Sequence, residues 1–188
     1  ATLPQPLSFT PALAGRGETA VPFGQKWRVG VADTTKYRYI RVQKTRADDR
    51  DGAGQTYFNL TEVKLFAVPL PPPVVAFPTS TSLTNVALNK PAQASTVQVW
   101  PDVTGTPASA NDGQVLLNGQ ASLWHSQSNT GQPEWWQVDL GTAQRLAGIE
   151  ILFRQDQDQA TCRRNFAVLG ANTADFENPV VLGMQEGT

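Results

Sequence analysis

Apolar and polar residues alternate in several short stretches of the chain, and nowhere do they recur at helical spacing over as many as twelve residues. Trp136, Val138 and Leu140 fall on one face of the stretch Trp135 to Leu140. Ile149, Ile151 and Phe153 fall together in Leu146 to Phe153, with Gly148 and Glu150 opposite. These six side chains are expected in one buried core. Tyr37 to Gln43 and Tyr57 to Ala67 are rich in Tyr, Ile, Val and Phe, the residues that suit a pleated surface. Shorter strands are predicted at Val97–Trp100, Phe166–Gly170 and Val180–Leu182. Turn chemistry separates them, at Asp51-Gly52, Asp112-Gly113, Asn118-Gly119 and Leu140-Gly141. Such a pattern predicts almost no α-helix and an antiparallel sandwich or barrel. The run Pro69-Leu70-Pro71-Pro72-Pro73 interrupts it. Consecutive prolines fix φ and lack ladder donors, so residues 69–84 are expected to form an extended linker.

Composition narrows the chemistry. The 188 residues carry 15 Lys+Arg against 16 Asp+Glu, a balance that argues against a nucleic-acid partner or a polybasic membrane surface. Hydrophobic residues at 40% exceed what a disordered chain holds. No apolar run is long enough for a transmembrane helix. The start, Ala1-Thr2-Leu3-Pro4, has no signal-peptide core, which suits either a processed chain or a piece of a longer one. One Cys and one His exclude an internal disulfide and a Cys/His zinc site. Five Trp, 15 Gly and 14 Pro fit a loop-rich β protein. No Gly-rich phosphate loop and no Ser-His-Asp set is present, and the carboxylates Asp156 and Asp158 sit on one expected loop with nothing to separate their roles. The chain therefore reads as non-enzymatic.

From Asn85 the text becomes specific. Asn85-Val86-Ala87-Leu88-Asn89-Lys90-Pro91-Ala92 is followed by Ala108-Ser109-Ala110-Asn111-Asp112-Gly113 and Leu123-Trp124-His125-Ser126. Then come Pro133-Glu134-Trp135-Trp136-Gln137-Val138-Asp139-Leu140-Gly141, Ile149-Glu150-Ile151 and Arg154-Gln155-Asp156. This order resembles the discoidin (coagulation-factor type C) family, a galactose-binding-like β-sandwich, and within it the F-type, fucose-binding lectins. Upstream, Tyr37-Arg38-Tyr39-Ile40-Arg41-Val42 and Tyr57 to Phe66 look like the family's last two strands. The resemblance thus implies an all-β, antiparallel jelly-roll sandwich assembled from a closing half, 1–68, and an opening half, 85–188. An opening half alone would leave two sheet edges unpaired. The closing strands are therefore expected to pair with residues after Asn85, within a permuted domain or between neighbouring copies of a tandem array.

The resemblance also implies sites. Its carbohydrate residues map onto His125, Arg154, Asp156 and Arg163, whose fixed donors and acceptors suit sugar hydroxyls. Trp135, the half-exposed member of the Trp135-Trp136 pair, joins them as a candidate ring, although the pair by itself reads as core plus flank rather than as a sugar platform. Without the resemblance, Arg154 and Asp156 read as an ion pair at a strand end. A structural Ca2+ is implied on the carboxylates of Asp112 and Glu62, with Ser109, Gln114 and Thr61 giving carbonyls and Ser122 nearby. Taken alone, Asp112-Gly113 is a turn and Glu62 a buried acceptor. Asp48 to Gly52 reads as a solvated hairpin loop, and Asn59-Leu60-Thr61 as a sequon inside a strand. The function implied is an extracellular or cell-surface adhesion module whose partners are glycans or glycoproteins. The alternatives are a structural repeat of a filament or matrix, packed on neighbouring copies of itself, and an accessory carbohydrate-binding module of a larger enzyme.

Overall fold

The computed structural model describes residues 16–17, 20–67, 83–100, 103–117 and 120–187. Most of the expected linker, residues 69–82, lies outside them, and its last residue, Thr84, already belongs to a strand. The strands of the first half are β1 (Arg16–Gly17), β2 (Lys26–Gly30), β3 (Lys36–Lys44), β4 (Asn59–Leu60) and β5 (Glu62–Ala67). Those after residue 82 begin with β6 (Thr84–Asn85), β7 (Ala92–Ala94), β8 (Val99–Trp100) and β9 (Val103–Thr104). They continue with β10 (Leu116–Leu117), β11 (Gln120–Ala121), β12 (Trp124–His125), β13 (Trp135–Leu152), β14 (Phe166–Ala171) and β15 (Val180–Gln185). Helical structure among the described residues is two four-residue 3-10 turns, Pro107–Ala110 and Ala160–Arg163.

The 18-residue β13 organises the rest. Its first part lies between β3 and β7, in a sheet that runs on from β3 through β14 and β15 to a parallel β1. Its second part lies between β2 and β5, with β6 beyond β5. One strand therefore serves both sheets of the sandwich. The change occurs where the register to β3 jumps from Asp139 to Gln144, and Gly141 adopts φ +82° there. Leu140-Gly141, expected as a turn between two strands, is a bulge within one. A bulge bends and twists a strand without ending it, and a side chain at that φ would be strained.

The closing strands meet the opening ones within this chain. Val63 stands opposite Ile151 and Leu65 opposite Ile149, while Ile40 stands opposite Val138. All six apolar residues named from the alternation are buried, in a core shared with Trp27, Val29, Phe58, Trp124 and Phe166. Phe166 packs against Trp27 and Phe153 with ring centroids 5.2 and 5.3 Å apart, and Phe58 edges Trp124 at 5.9 Å. Each such side chain fully removed from water contributes about 1.5–3 kcal/mol before entropy is counted.

A second, smaller hydrophobic cluster of Ala167, Leu169, Ala171, Phe176 and Met184 lies apart from the core, and Arg41 packs against it. The Arg41 guanidinium lies between the rings of Trp135 and Phe176, 4.4 and 4.1 Å from their centroids, and donates twice to Gln137 Oε1. Burial pulls Arg41 down to about 10.

Asp49 corrects the picture of a solvated 48–52 loop. It is buried, accepts from Lys44 Nζ at 2.9 Å and from Asn165 Nδ2 at 2.9 Å, and pairs with Arg164 at 2.8 Å. Lys44 Nζ also donates to the Thr161 and Arg164 carbonyls. The loop is thereby nailed inward by one carboxylate.

Asn59 is fully buried on β4, where its amide donates to Gln159, and Thr61 is equally buried. Secretion through a glycosylating host is expected to leave Asn59 unmodified in the folded protein. Intact-mass measurement before and after glycosidase treatment checks it, with no mass change expected at this site.

Candidate functional site

Four loop regions converge at one end of the sandwich and form three walls. β4 and β12 pair there, with Asn59 opposite His125 and Leu60 opposite Trp124. The loop after β12 is tied to the one before β4, because Thr56 N donates to Asn129 Oδ1 and Asn129 N to the Thr56 carbonyl. The strip after β7 is held by Gln98 N on the His125 carbonyl and by Trp124 Nε1 on the Thr96 carbonyl. The loop after β13 supplies the third wall.

Between them lies a cleft of about 500 Å³ lined by Asp51, Gln55, Tyr57, Gln98, His125, Ser128, Arg154, Gln157 and Gln159. Every lining side chain is polar. Arg154 grips Asp156 through two hydrogen bonds, Nε at 2.6 Å and an Nη at 2.8 Å, so its cation is already balanced. This pairing holds the Asp156 carboxyl below the usual range. Asp51 accepts from the Tyr57 hydroxyl at 2.7 Å and from two amides of its own loop, which keeps it ionised. Burial, with the Asp51 acceptor, pushes the Tyr57 phenol up, so it stays neutral. Burial pulls the His125 imidazole down, and its Nδ1 lies 2.6 Å from the Ser126 carbonyl, which fixes the proton there. Its ring sits 5.2 Å from that of Tyr57. The cleft thus offers amides, hydroxyls and a neutral imidazole around a self-compensated ion pair.

His125 and Arg154 are brought together here, with Asp156 beside them. Arg163 and Trp135 are not part of the lining. The Arg163 guanidinium donates to the Val21 carbonyl and to Asp158 and lies 5.6 Å from the Phe23 ring, pinning segment 20–23 to the 155–160 loop. Trp135 lies on the outer sheet face under Arg41. Sequence reasoning missed Gln157 and Gln159, although Gln155-Asp156-Gln157-Asp158-Gln159 alternates amide and carboxylate in plain view. It also missed Asp51, Gln55, Tyr57, Gln98 and Ser128, which no local signal marks.

The second set of candidates joins β5 to the loop after Pro107–Ala110. Gly113 N donates to Glu62 Oε2 at 3.0 Å. Asp112 accepts from Gln114 N at 2.8 Å and from Ser122 Oγ at 3.0 Å. Glu62 Oε1, Thr61 Oγ1 and the adjacent loop's Asn111 Oδ1 are buried without a hydrogen-bond partner. Burial raises Glu62 to about 7, and the Asp112 charge adds to it. Orphaned buried oxygens on hard, uncompensated groups fit a hard cation such as Ca2+. No group of three His, Cys, Asp or Glu side chains gathers among the described residues. Such an ion would therefore need further oxygens, for which the resemblance names the carbonyls of Ser109, Gln114 and Thr61.

Residues 109–181 match the family model of F5/F8 type C domains described as a NedA-like, galactose-binding domain. None of the curated proteins compared with the chain matches it.

Proposed function

We propose that this chain, which carries a galactose-binding-like domain of the F5/F8 type C family over residues 109–181, acts by holding a neutral glycan in the cleft between its end loops. The wholly polar lining around Arg154 carries this reading. Sugar hydroxyls both donate and accept, so four glutamine amides, Tyr57, Ser128 and His125 supply complementary partners of either kind. A neutral ligand suits the charge. Arg154 is balanced by Asp156 and Asp51 adds a further negative charge, so a sialylated or sulfated sugar meets net repulsion.

His125 and Gln98 would orient the sugar from one wall, and Gln157, Gln159 and Arg154 from the other. Nothing in this set separates a nucleophile from an acid, so the proposed role is binding without catalysis. Glu62 and Asp112, with carbonyls of Thr61, Ser109 and Gln114 and with Ser122 adjoining, would hold Ca2+. Its chemistry there is neutralisation of two carboxylates that join the strand before the linker to the loop after it. In the permuted order proposed with this reading, residues 1–68 close a module that residues 85–188 open. The support is the pairing of β5 with β13.

The role proposed for such a module is adhesion at an extracellular surface. The accessory-module and structural-repeat readings retain the same cleft and differ in what is joined to it.

A glycan array followed by calorimetry tests the proposal. Wild type is expected to bind neutral glycans in preference to their sialylated or sulfated forms, and Arg154→Ala to weaken that binding at least about tenfold, since it also strands Asp156. Equal binding by Arg154→Ala, or binding confined to acidic glycans, overturns it.

A further inference from the structure

A second cleft, of about 230 Å³, opens on the outer face of the larger sheet and shares no residue with the first. It is lined by Tyr39, Pro91, Gln93, Gln137, Asp139 and Ala174. We propose that this cleft is a second saccharide subsite, which takes a single neutral sugar unit against the Tyr39 ring. The placement follows from strand register. Tyr39 on β3 stands opposite Asp139 on β13, and Gln137 on β13 stands opposite both Arg41 on β3 and Gln93 on β7. Three polar side chains and one ring thus share one patch of a rigid sheet, with Pro91 and Ala174 as exposed rims.

The preorganisation is specific. Arg38 clamps Asp139 through two bonds of 2.8 Å, and Gly141 N donates to the same carboxylate, so it is ionised and fixed in direction. Gln137 Oε1 is held by Arg41, which leaves its amide nitrogen directed to Gln93 at 3.3 Å. A carboxylate acceptor beside two amides matches vicinal hydroxyls, which need acceptors and donors side by side. The Tyr39 ring, which carries the Arg38 guanidinium 5.0 Å from its centroid, supplies the apolar part of the lining for the C–H face of a pyranose. With Asp139 balanced by Arg38, the described lining residues offer no cation to attract an acidic sugar. Tyr39, Gln93, Gln137 and Asp139 sit on strands, so little ordering of these four is needed on binding.

The subsite goes beyond the loop cleft and stands or falls apart from it. Two sites on one chain would raise avidity for a dense glycan surface without altering the affinity of either.

Titration of isotope-labelled protein with lactose, then with galactose, fucose, glucose and mannose, reads both clefts at once by amide chemical shifts. The expected result is a concentration-dependent shift at Gln93, Asp139 and Ala174 with at least one of these sugars. That shift should disappear in Ala174→Trp, which fills the cleft from an exposed position, and weaken in Gln93→Ala. Silence of the face amides with every sugar, or shifts that persist unchanged in Ala174→Trp, overturns the subsite. Responses at Tyr57, His125 and Arg154 report the loop cleft separately, so failure of one site is distinguishable from failure of the other.

Discussion

Asp49→Ala is expected to destabilise the protein by about 3–5 kcal/mol, the range seen when one partner of a buried ion pair is removed. In a domain of this size that corresponds to a fall in Tm of roughly 6–20 °C. The cause is what remains behind. Lys44, with a side chain 4% exposed, would keep two carbonyl acceptors and lose its counter-charge, while Arg164 loses an ion-pair partner and Asn165 a hydrogen-bond acceptor. Burial already pulls Lys44 below its ordinary value. Burial opposes the charge on Asp49 too, but Arg164, Lys44 and Asn165 outweigh it and hold its carboxyl low. The exposed pair Arg46–Asp48, one loop residue away, provides the control. Its side chains are 56% and 71% exposed, and Asp48→Ala should leave Tm almost unchanged. A scanning calorimetry comparison separates the two. Equal, small effects would show that the buried network is decorative.

The second large effect concerns Glu62. Its carboxyl is raised to about 7 in the folded chain against an ordinary value of 4.5. The folded state therefore holds a proton that the unfolded state gives up between those values. Stability drawn from the neutral form is complete below about 4.5 and is lost as pH rises through about 7. The difference amounts to about 3 kcal/mol. In chelator, wild type should lose this stability between pH 5 and 7.5, whereas Glu62→Gln should not. At pH 7.5, added Ca2+ should raise the melting temperature of wild type and barely affect Glu62→Gln, because an ion bound only to the folded state stabilises it by mass action. A wild-type curve that parallels the variant in chelator would place Glu62 in a wetter setting than its burial indicates. A Ca2+ effect of equal size in both would locate the ion elsewhere.

The core was legible in the sequence because burial imposes a period. Trp136, Val138, Leu140, Ile149, Ile151 and Phe153 alternate with polar neighbours, and all six are buried. β2 obeys the same rule, with Trp27 and Val29 buried on either side of an exposed Arg28. The Leu140-Gly141 signal was real and its meaning ambiguous, because a glycine at positive φ serves a turn or a bulge equally. Asp49 was beyond reach. Its partners Arg164 and Asn165 are more than a hundred residues away, and nothing local distinguishes it from Asp48. The loop cleft was half legible. His125 and Arg154 came from motif order, but Tyr57, Gln98 and Gln159 converge only once four separate loops are folded.

The shared strand has a consequence during synthesis. β2, β3 and β5 all find their central partner in β13, whose first residue follows the last residue of β5 by more than sixty positions. At about 5–20 residues per second, the strands before the linker wait several seconds at the ribosome, unpaired, before Trp135 to Leu152 emerge. Pairing over such sequence distances is also intrinsically slow. The nascent first half presents Tyr37 to Lys44 and Glu62 to Ala67 as open strand edges throughout that delay. Chaperone demand and misassembly should therefore peak before β13 is complete, and a translational pause placed just after it should raise the yield of native protein.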